Sequence, residues 1–409
     1  MSGHLLKSEL QTMRSVMNAS KSFSPKKDAV LNGRRIEFFH HAALPEWGGP
    51  EQVDSFAVLH PAGRKRKTGL YVVLHSAGHG LFSCLGCTSF RNNHDIYRTP
   101  DDLFGLYLDC REHDDRDFWW GGINAHGEGD PRRKDYVQPV EKRLYATIEW
   151  VKAHYPVDPE RIYICGNSMG GSGSLGIGMC RGDLFAAVKV NVAAGVEHML
   201  DRCFKPGTQI PDPPVCIDYS AQNDTWSDGH EKLYRAMREH KFAFYGYWAD
   251  FGHANADDTM LAKNDLIHSF DWLAIRRDRA YPVFTNADSD NINPWEAGRR
   301  SSADSGQVNA FFRWENVADR PQYFRMKLFL VSPETLKNSF AVPEKAAADV
   351  SLRRLQQFRI RPNESIRWSF GAQSGITDAD ERGLLTLPRL EITAGKEILS
   401  LARTDRTGF

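Results

Sequence analysis

Gly166-Asn167-Ser168-Met169-Gly170 is the stretch of this chain best suited to chemistry. It follows an apolar run at 161–166 that reads as a strand, and it precedes a segment rich in small residues that suits a helix packed close to a sheet. A serine between strand and helix sits on a turn so tight that its backbone is strained, and flanking glycines avoid clashes with both elements. The strain lifts the hydroxyl clear of the sheet, and the helix points its N-terminal dipole at the reaction centre. That is the setting of a nucleophile for acyl transfer. Serine is a poor nucleophile at neutral pH and needs a base, which most of the fifteen histidines cannot be.

The elements around this turn alternate. Residues 54–63 and 70–74 read as strands joined by the basic turn 63–69, and the second breaks into the glycine loop at His75–Gly80. A strand is expected at 103–110. Val140, Leu144, Ile148 and Val151 at helical spacing predict a helix over 139–155, with Pro139 near its start and Pro156 after its end. Three further strands (185–195, 214–220, 242–252) and a helix at 229–240 follow, so the fold class is α/β, a doubly wound, mostly parallel sheet. Near residue 280 the texture changes. Residues 281–295 read as a polar linker, and beyond it short apolar runs separated by turns predict a small all-β, sandwich-like domain, with one short helical stretch near Glu344–Ala348. The expected organisation is an N-terminal segment (1–53), a catalytic domain (54–280) and a β domain (285–409).

The run RIYICGNSMGGSGSLGIG at 161–178 resembles the elbow of microbial esterases of the α/β-hydrolase superfamily, chiefly feruloyl and acetyl-xylan esterases, with polyhydroxybutyrate depolymerases and prolyl-oligopeptidase-type hydrolases near them. The likeness covers roughly 54–275. It implies the order serine, acid, histidine, with the acid after a late strand and the histidine after the last. Asp224, in Ala221-Gln222-Asn223-Asp224, matches the GxxD turn except for its leading alanine. Asp228, one turn later, is the other candidate acid, although it fits a helix cap better. His253, in Phe251-Gly252-His253, falls where the resemblance puts the base. His230 and His268 fall within helices. The oxyanion hole implied by the resemblance takes one N–H from Met169 and a second from the loop after the strand at 70–74, from Ala77 or else from Ser76.

Trp119 and Trp120 lie in the long loop after the 103–110 strand, at the edge where such sheets bind ligands. They read either as a platform for a sugar or phenolic ring or as packing anchors. Trp226 faces the same choice, and His79 of the glycine loop is a further substrate-contact candidate. An aromatic, polar-rimmed site suits a carbohydrate-linked acetyl or feruloyl ester, or an aryl ester, better than a long lipid. The rival readings are a peptidase without a propeller, since only about 70 residues precede the oxyanion strand, and a catalytically inactive binding module, against which every triad position holds a competent residue.

Composition narrows the classes further. Lysine plus arginine and aspartate plus glutamate balance at 52 each, which gives no reason to expect nucleic acid or an anionic membrane as partner. No apolar run approaches the roughly 20 residues that span a bilayer. The first twenty residues contain no signal-peptide core, so the compartment is cytoplasmic or a leader has been lost. Seven cysteines do not make a disulfide framework. Cys84 and Cys87 form a CxxC without the two further ligands zinc needs. Asp288 and Asp290 alternate but lack an EF-hand's glycine and terminal glutamate. No metal or cofactor is expected, and the oligomeric state is left open.

Overall fold

The computed structural model describes residues 24–42, 47, 53–63, 67–89, 93–110, 119, 137–210, 212–221, 223–227, 229–253, 265–291, 305–336 and 341–404. Its centre is a ten-stranded sheet of β1 (Ser24–Leu31), β2 (Arg34–Ala42), β3 (Val53–Leu59), β4 (Thr68–Leu74), β5 (Phe104–Leu108), β6 (Val157–Asn167), β7 (Ala187–Asn191), β8 (Val215–Ala221) and β9 (Phe244–Ala249), completed by β11 (Gly306–Val308). β10 (Tyr281–Thr285) belongs to another sheet. The order is β1-β2-β3-β5-β4-β6-β7-β8-β9-β11. The six strands from β5 to β9 run parallel, and the three N-terminal strands and β11 are antiparallel to their neighbours. β4, β5, β7 and β8 are buried along their whole length, as parallel strands covered on both faces must be.

Helices cover those faces: α1 (Leu81–Gly86), α2 (Pro139–His154), α3 (Met169–Gly173), α4 (Glu197–Cys203) and α5 (His230–Glu239). The α2 bounds agree with its apolar spacing. Val140, Leu144, Ile148 and Val151 are all buried, and Pro139 at the first turn loses no hydrogen bond there. After α3 the helix widens into one π turn, Ser174–Gly178.

Three expectations need correction. The sheet reaches beyond 54–280 at both ends, because the hairpin β1–β2 adds to one side and β11 pairs with β9 on the other. The 281–285 part of the supposed linker is β10, fully buried, whose Tyr-Pro-Val-Phe-Thr is a strand sequence hidden by the polar run after it. Residues 345–348 belong to β14 (Lys345–Arg353), not a helix; alanine's helix propensity yields here to pairing with a neighbouring strand.

The C-terminal part contains two antiparallel sheets. One is β10-β14-β17, with β17 at Thr386–Thr393. The other is β12-β13-β18-β15-β16, formed by β12 (Phe312–Arg320), β13 (Tyr323–Leu330), β15 (Ser365–Phe370), β16 (Gln373–Asp378) and β18 (Glu397–Arg403). β13 and β15 alternate buried residues with exposed or half-buried ones, so each gives one face to a core. Phe284 of the first sheet stacks on Phe312 of the second, ring centres 4.3 Å apart. Asp288 and Asp290 hold turns: Asp288 accepts the Ala347 N–H at 2.9 Å and Asp290 accepts the Asn309 N–H at 2.8 Å.

Buried polar clamps fasten this part to the ten-stranded sheet. The Arg354 guanidinium donates to the carbonyls of Ala186 at 3.0 Å and Phe185 at 2.8 Å, just before β7. Arg353 donates to Lys241 and His240 before β9, and the Tyr281 hydroxyl donates to Pro213 before β8. These contacts meet the N-terminal ends of parallel strands, opposite the end from which Ser168 projects.

Candidate functional site

Ser168 follows the last residue of β6 with φ 55° and ψ −119°, a conformation L-residues rarely adopt. The flanking glycines explain how the chain tolerates it. A methyl group at Gly170 would lie 2.0 Å from the Leu74 carbonyl oxygen, and one at Gly166 would lie 2.3 Å from the Gly170 carbonyl. Nothing larger than hydrogen fits at either position. The Ser168 N–H donates to Asn191 at the end of β7 at 3.0 Å, and the Ser168 carbonyl accepts from Ala194 at 3.1 Å. The strained residue is therefore held on both sides by the neighbouring strand's exit.

The Ser168 Oγ lies 2.7 Å from His253 Nε2, and His253 Nδ1 lies 2.5 Å from Asp224 Oδ2. One hydrogen-bonded relay thus joins three residues that leave the ends of β6, β8 and β9. The Asp224 carboxylate is buried and doubly tied: Oδ1 accepts the Trp226 N–H at 2.9 Å, and Oδ2 also accepts the Ser227 hydroxyl at 3.2 Å. The histidine loop is pinned to the acid's turn, because the Gly252 N–H donates to Asn223 Oδ1 at 2.8 Å. Gly252 has φ +70°, and Phe251 before it stacks on Tyr219 of β8 at 4.4 Å. Asp228, the other candidate acid, lies outside the described residues.

The loop after β4 is organised by a phenol. Tyr97 accepts the Ser76 N–H at 2.9 Å, and its hydroxyl lies 2.5 Å from Ser76 Oγ, which also bonds Asn167 of the elbow. The Ser76 amide is therefore already engaged. Ala77 is exposed, and its N–H makes no hydrogen bond among the described residues. Met169 opens α3, where a helix leaves its first N–H groups without internal partners. Of the two amides considered for the second oxyanion donor, that of Ser76 is bonded to Tyr97 and that of Ala77 has no such bond among the described residues.

Trp119 is not a substrate platform. It is completely buried, its indole N–H donates to the His75 carbonyl at 2.9 Å, and its Cβ sits against Gly173 behind the elbow. Of the two readings for this loop, packing holds for Trp119, because an indole with its one donor satisfied by backbone fills the space behind a helix of glycines. Trp120 lies outside the described residues. Trp226 is 40% exposed, with its ring 6.2 Å from that of His253.

His79 is half-buried and pairs with His94, ring centres 5.1 Å apart. Burial lowers the pKa of both. That of His94 falls to about 4, with the His79 imidazole adding to burial, Asp95 opposing and His253 contributing a smaller repulsion. Both rings are neutral near pH 7. His94 and Tyr97 escaped the sequence reading because the segment between β4 and β5 has no periodicity, and only the fold brings it to the serine. Asn223 stands next to the acid, and the GxxD spacing was the only signal for it. Beneath the site Lys189 is buried, its pKa lowered by desolvation against the pull of Asp95. It donates to Asn191 at 2.9 Å, which in turn donates to Asp95 at 3.1 Å. Among the described residues no group of three or more His, Cys, Asp or Glu converges to hold a metal ion.

Comparison with known proteins finds a match over part of this site. Residues 106–243, which include the elbow and the acid's turn, match the family model described as "Putative esterase". No curated protein matches the chain. Among solved structures it is similar to FphF, a fluorophosphonate-binding serine hydrolase of Staphylococcus aureus (12% identity, 59% of this chain and 98% of that one, TM-score 0.41). It is similar also to an S-formylglutathione hydrolase from Agrobacterium tumefaciens (13% identity, 61% and 98%, TM-score 0.44) and to a ferulic acid esterase (14% identity, 54% and 92%, TM-score 0.39). The esterase pattern thus lies over the segment that carries the strained serine and the turn of Asp224.

Proposed function

We propose that the chain hydrolyses carboxylic esters through an acyl-enzyme on Ser168. The observation that carries this reading is the continuous relay, 2.7 Å from Ser168 Oγ to His253 and 2.5 Å from His253 to Asp224. His253 takes the hydroxyl proton as the oxygen attacks the acyl carbon, then returns it to the leaving alcohol. Water repeats the sequence and releases the acid. Asp224 stays ionised and holds the proton on Nδ1, so Nε2 faces the serine as an acceptor. The N–H groups of Met169 and Ala77 receive the developing negative charge.

The substrate class in this proposal is an ester whose acyl or alcohol part is a sugar or an aromatic ring. Trp226, half open beside His253, gives such a ring a stacking face, and the neutral His79–His94 pair adds a polar, uncharged wall. The C-terminal sheets form a sandwich that braces the catalytic sheet from its far end through Arg353, Arg354 and Tyr281. The test compares aryl acetate, methyl ferulate and a prolyl anilide, each with the wild type and Ser168→Ala, alongside fluorophosphonate labelling. Ester turnover lost with Ser168→Ala supports the reading. Turnover of the anilide alone points to a peptidase, and no turnover with no labelling points to a binding module.

A further inference from the structure

We propose that Cys180 and Cys203 form a reversible intrachain disulfide, a covalent modification site that braces the helix behind the nucleophile. All seven cysteines are free, yet the Cys180 and Cys203 sulfurs are only 3.2 Å apart. A disulfide needs about 2.05 Å, so closure asks the sulfurs to move together by about 1.2 Å. Cys84 and Cys87, the CxxC pair, make no such contact with each other.

The two thiols are unlike in a way that orders the chemistry. Cys180 is partly exposed, and Cys203, the last residue of α4, is buried. The hydrogen bond from the Cys203 thiol, helped by the Arg202 guanidinium, draws the Cys180 thiol below its ordinary pKa against burial, whereas burial pushes Cys203 up. Cys180 is the attacking sulfur, because the thiolate is the nucleophile and access limits the rate. With a low-molecular-weight disulfide such as oxidised glutathione as oxidant, the Cys180 thiolate attacks one sulfur and one glutathione leaves as thiolate. Cys203 gives up its proton and attacks the Cys180 sulfur, and the second glutathione leaves. Two protein thiols are oxidised and one disulfide is reduced to two thiols, so atoms and electrons balance.

The bridge would join two segments that already lean on each other. The His198 ring of α4 lies against Gly176 of the π turn, so close that a methyl there would sit 1.9 Å from it. Arg202 donates to the Gly176 carbonyl at 3.2 Å and to buried Glu141 at 2.7 Å. The π turn continues the helix that begins one residue after Ser168. Closing a loop of about 24 residues restricts the unfolded chain, which for a chain of this size corresponds to a Tm rise of roughly 4 °C.

The full chain is equilibrated in glutathione buffers from reducing to oxidising, quenched with acid and alkylated. It is then reduced, labelled with a second alkylating agent and mapped by peptide mass. The expected result is that Cys180 and Cys203 take the second label together, with one midpoint, and that the oxidised protein melts higher. Cys203→Ala should stop at a mixed disulfide with glutathione on Cys180, and Cys180→Ser should show neither the label nor the shift. First-step alkylation of both thiols at the oxidising limit would overturn the proposal. So would a mixed disulfide persisting in the wild type, or closure of Cys84 with Cys87 instead.

Discussion

Asp224→Asn isolates what the carboxylate does, because the amide is nearly its isostere. In the wild type Oδ1 accepts the Trp226 N–H, and Oδ2 accepts both the His253 Nδ1–H and the Ser227 hydroxyl. All three partners are donors, and an amide offers only one acceptor atom. If the Asn oxygen takes the Oδ1 position, its NH₂ faces His253 Nδ1, which must then accept. The proton moves to Nε2, and the serine loses its base. If the amide flips, its NH₂ meets the Trp226 N–H donor to donor, leaving a buried donor unsatisfied at about 1–3 kcal/mol. The first arrangement is favoured, and it holds the histidine in the wrong tautomer. A wrong tautomer in a serine triad lowers kcat by about 10⁴, equivalent to ~5.4 kcal/mol of transition-state stabilisation at 1.36 kcal/mol per decade. The assay is kcat and KM on an aryl acetate at pH 7.5, with Tm measured beside it. KM should change little. A loss below tenfold in Asp224→Asn, with a large loss in Asp228→Asn, would refute the relay and move the acid to residue 228.

Further outcomes follow from the packing and the charges. Gly170→Ala should lower both Tm and kcat, by about 1–3 kcal/mol in stability or more, because its methyl would press on the Leu74 and His75 carbonyls that lead into the oxyanion loop. Thermal melts with esterase rates check it. Trp119→Ala should cost about 3–5 kcal/mol in denaturant unfolding, whereas Trp226→Ala should leave stability within about 0.5 kcal/mol and raise KM for feruloyl more than for acetyl esters. The Asp290 carboxyl is pushed up to about 7 by burial. Its folded pKa lies above the unfolded one, so its contribution favours folding at low pH and is lost as pH rises through about 7. Asp290→Asn should gain Tm relative to wild type at pH 8 but not at pH 4. Arg354→Met should destabilise by about 3 kcal/mol by freeing the carbonyls of Phe185 and Ala186, measured by urea unfolding with fluorophosphonate labelling retained in the folded fraction.

How much the sequence discloses depends on whether the signal is local. The elbow is local: two glycines, a serine and the strand before them state a steric requirement that Leu74, far away in sequence, enforces on Gly170. The apolar spacing of α2 and the buried runs of β4, β7 and β8 are equally local, and their elements lie within a few residues of expectation. What stays hidden depends on partners. Residues 345–348 favour helix by composition and become strand because β17 pairs with them along β14. The β1–β2 hairpin carries too much polar sequence to announce itself, since one of its strands is at the sheet's edge. Tyr97 and His94 reach the serine through a connection without periodicity. Trp119 was ambiguous because an indole suits a sugar and a core equally, and only the location of its N–H partner decides.

Strain at the site is shared between two strand exits. Ser168 at φ 55° and Val192 at φ 42° both hold backbone conformations that cost on the order of 1–3 kcal/mol each, and a β-branched residue in that region is rarer still. They sit side by side at the ends of β6 and β7. The Ser168 N–H bonds the Asn191 carbonyl, the Val192 N–H bonds the Tyr219 carbonyl of β8 at 2.6 Å, and the Ala194 N–H returns to the Ser168 carbonyl. Each strained residue is thus fixed by hydrogen bonds to the next strand over, and neither can relax without breaking a bond that orients the other. The Asn191 side-chain oxygen also accepts a hydrogen bond from buried Lys189, so the same residue supports the nucleophile through its carbonyl and anchors the sheet end through its side chain. The serine's geometry therefore belongs to the exits of three adjacent strands, which is why the elbow pentapeptide alone marks the site but does not build it.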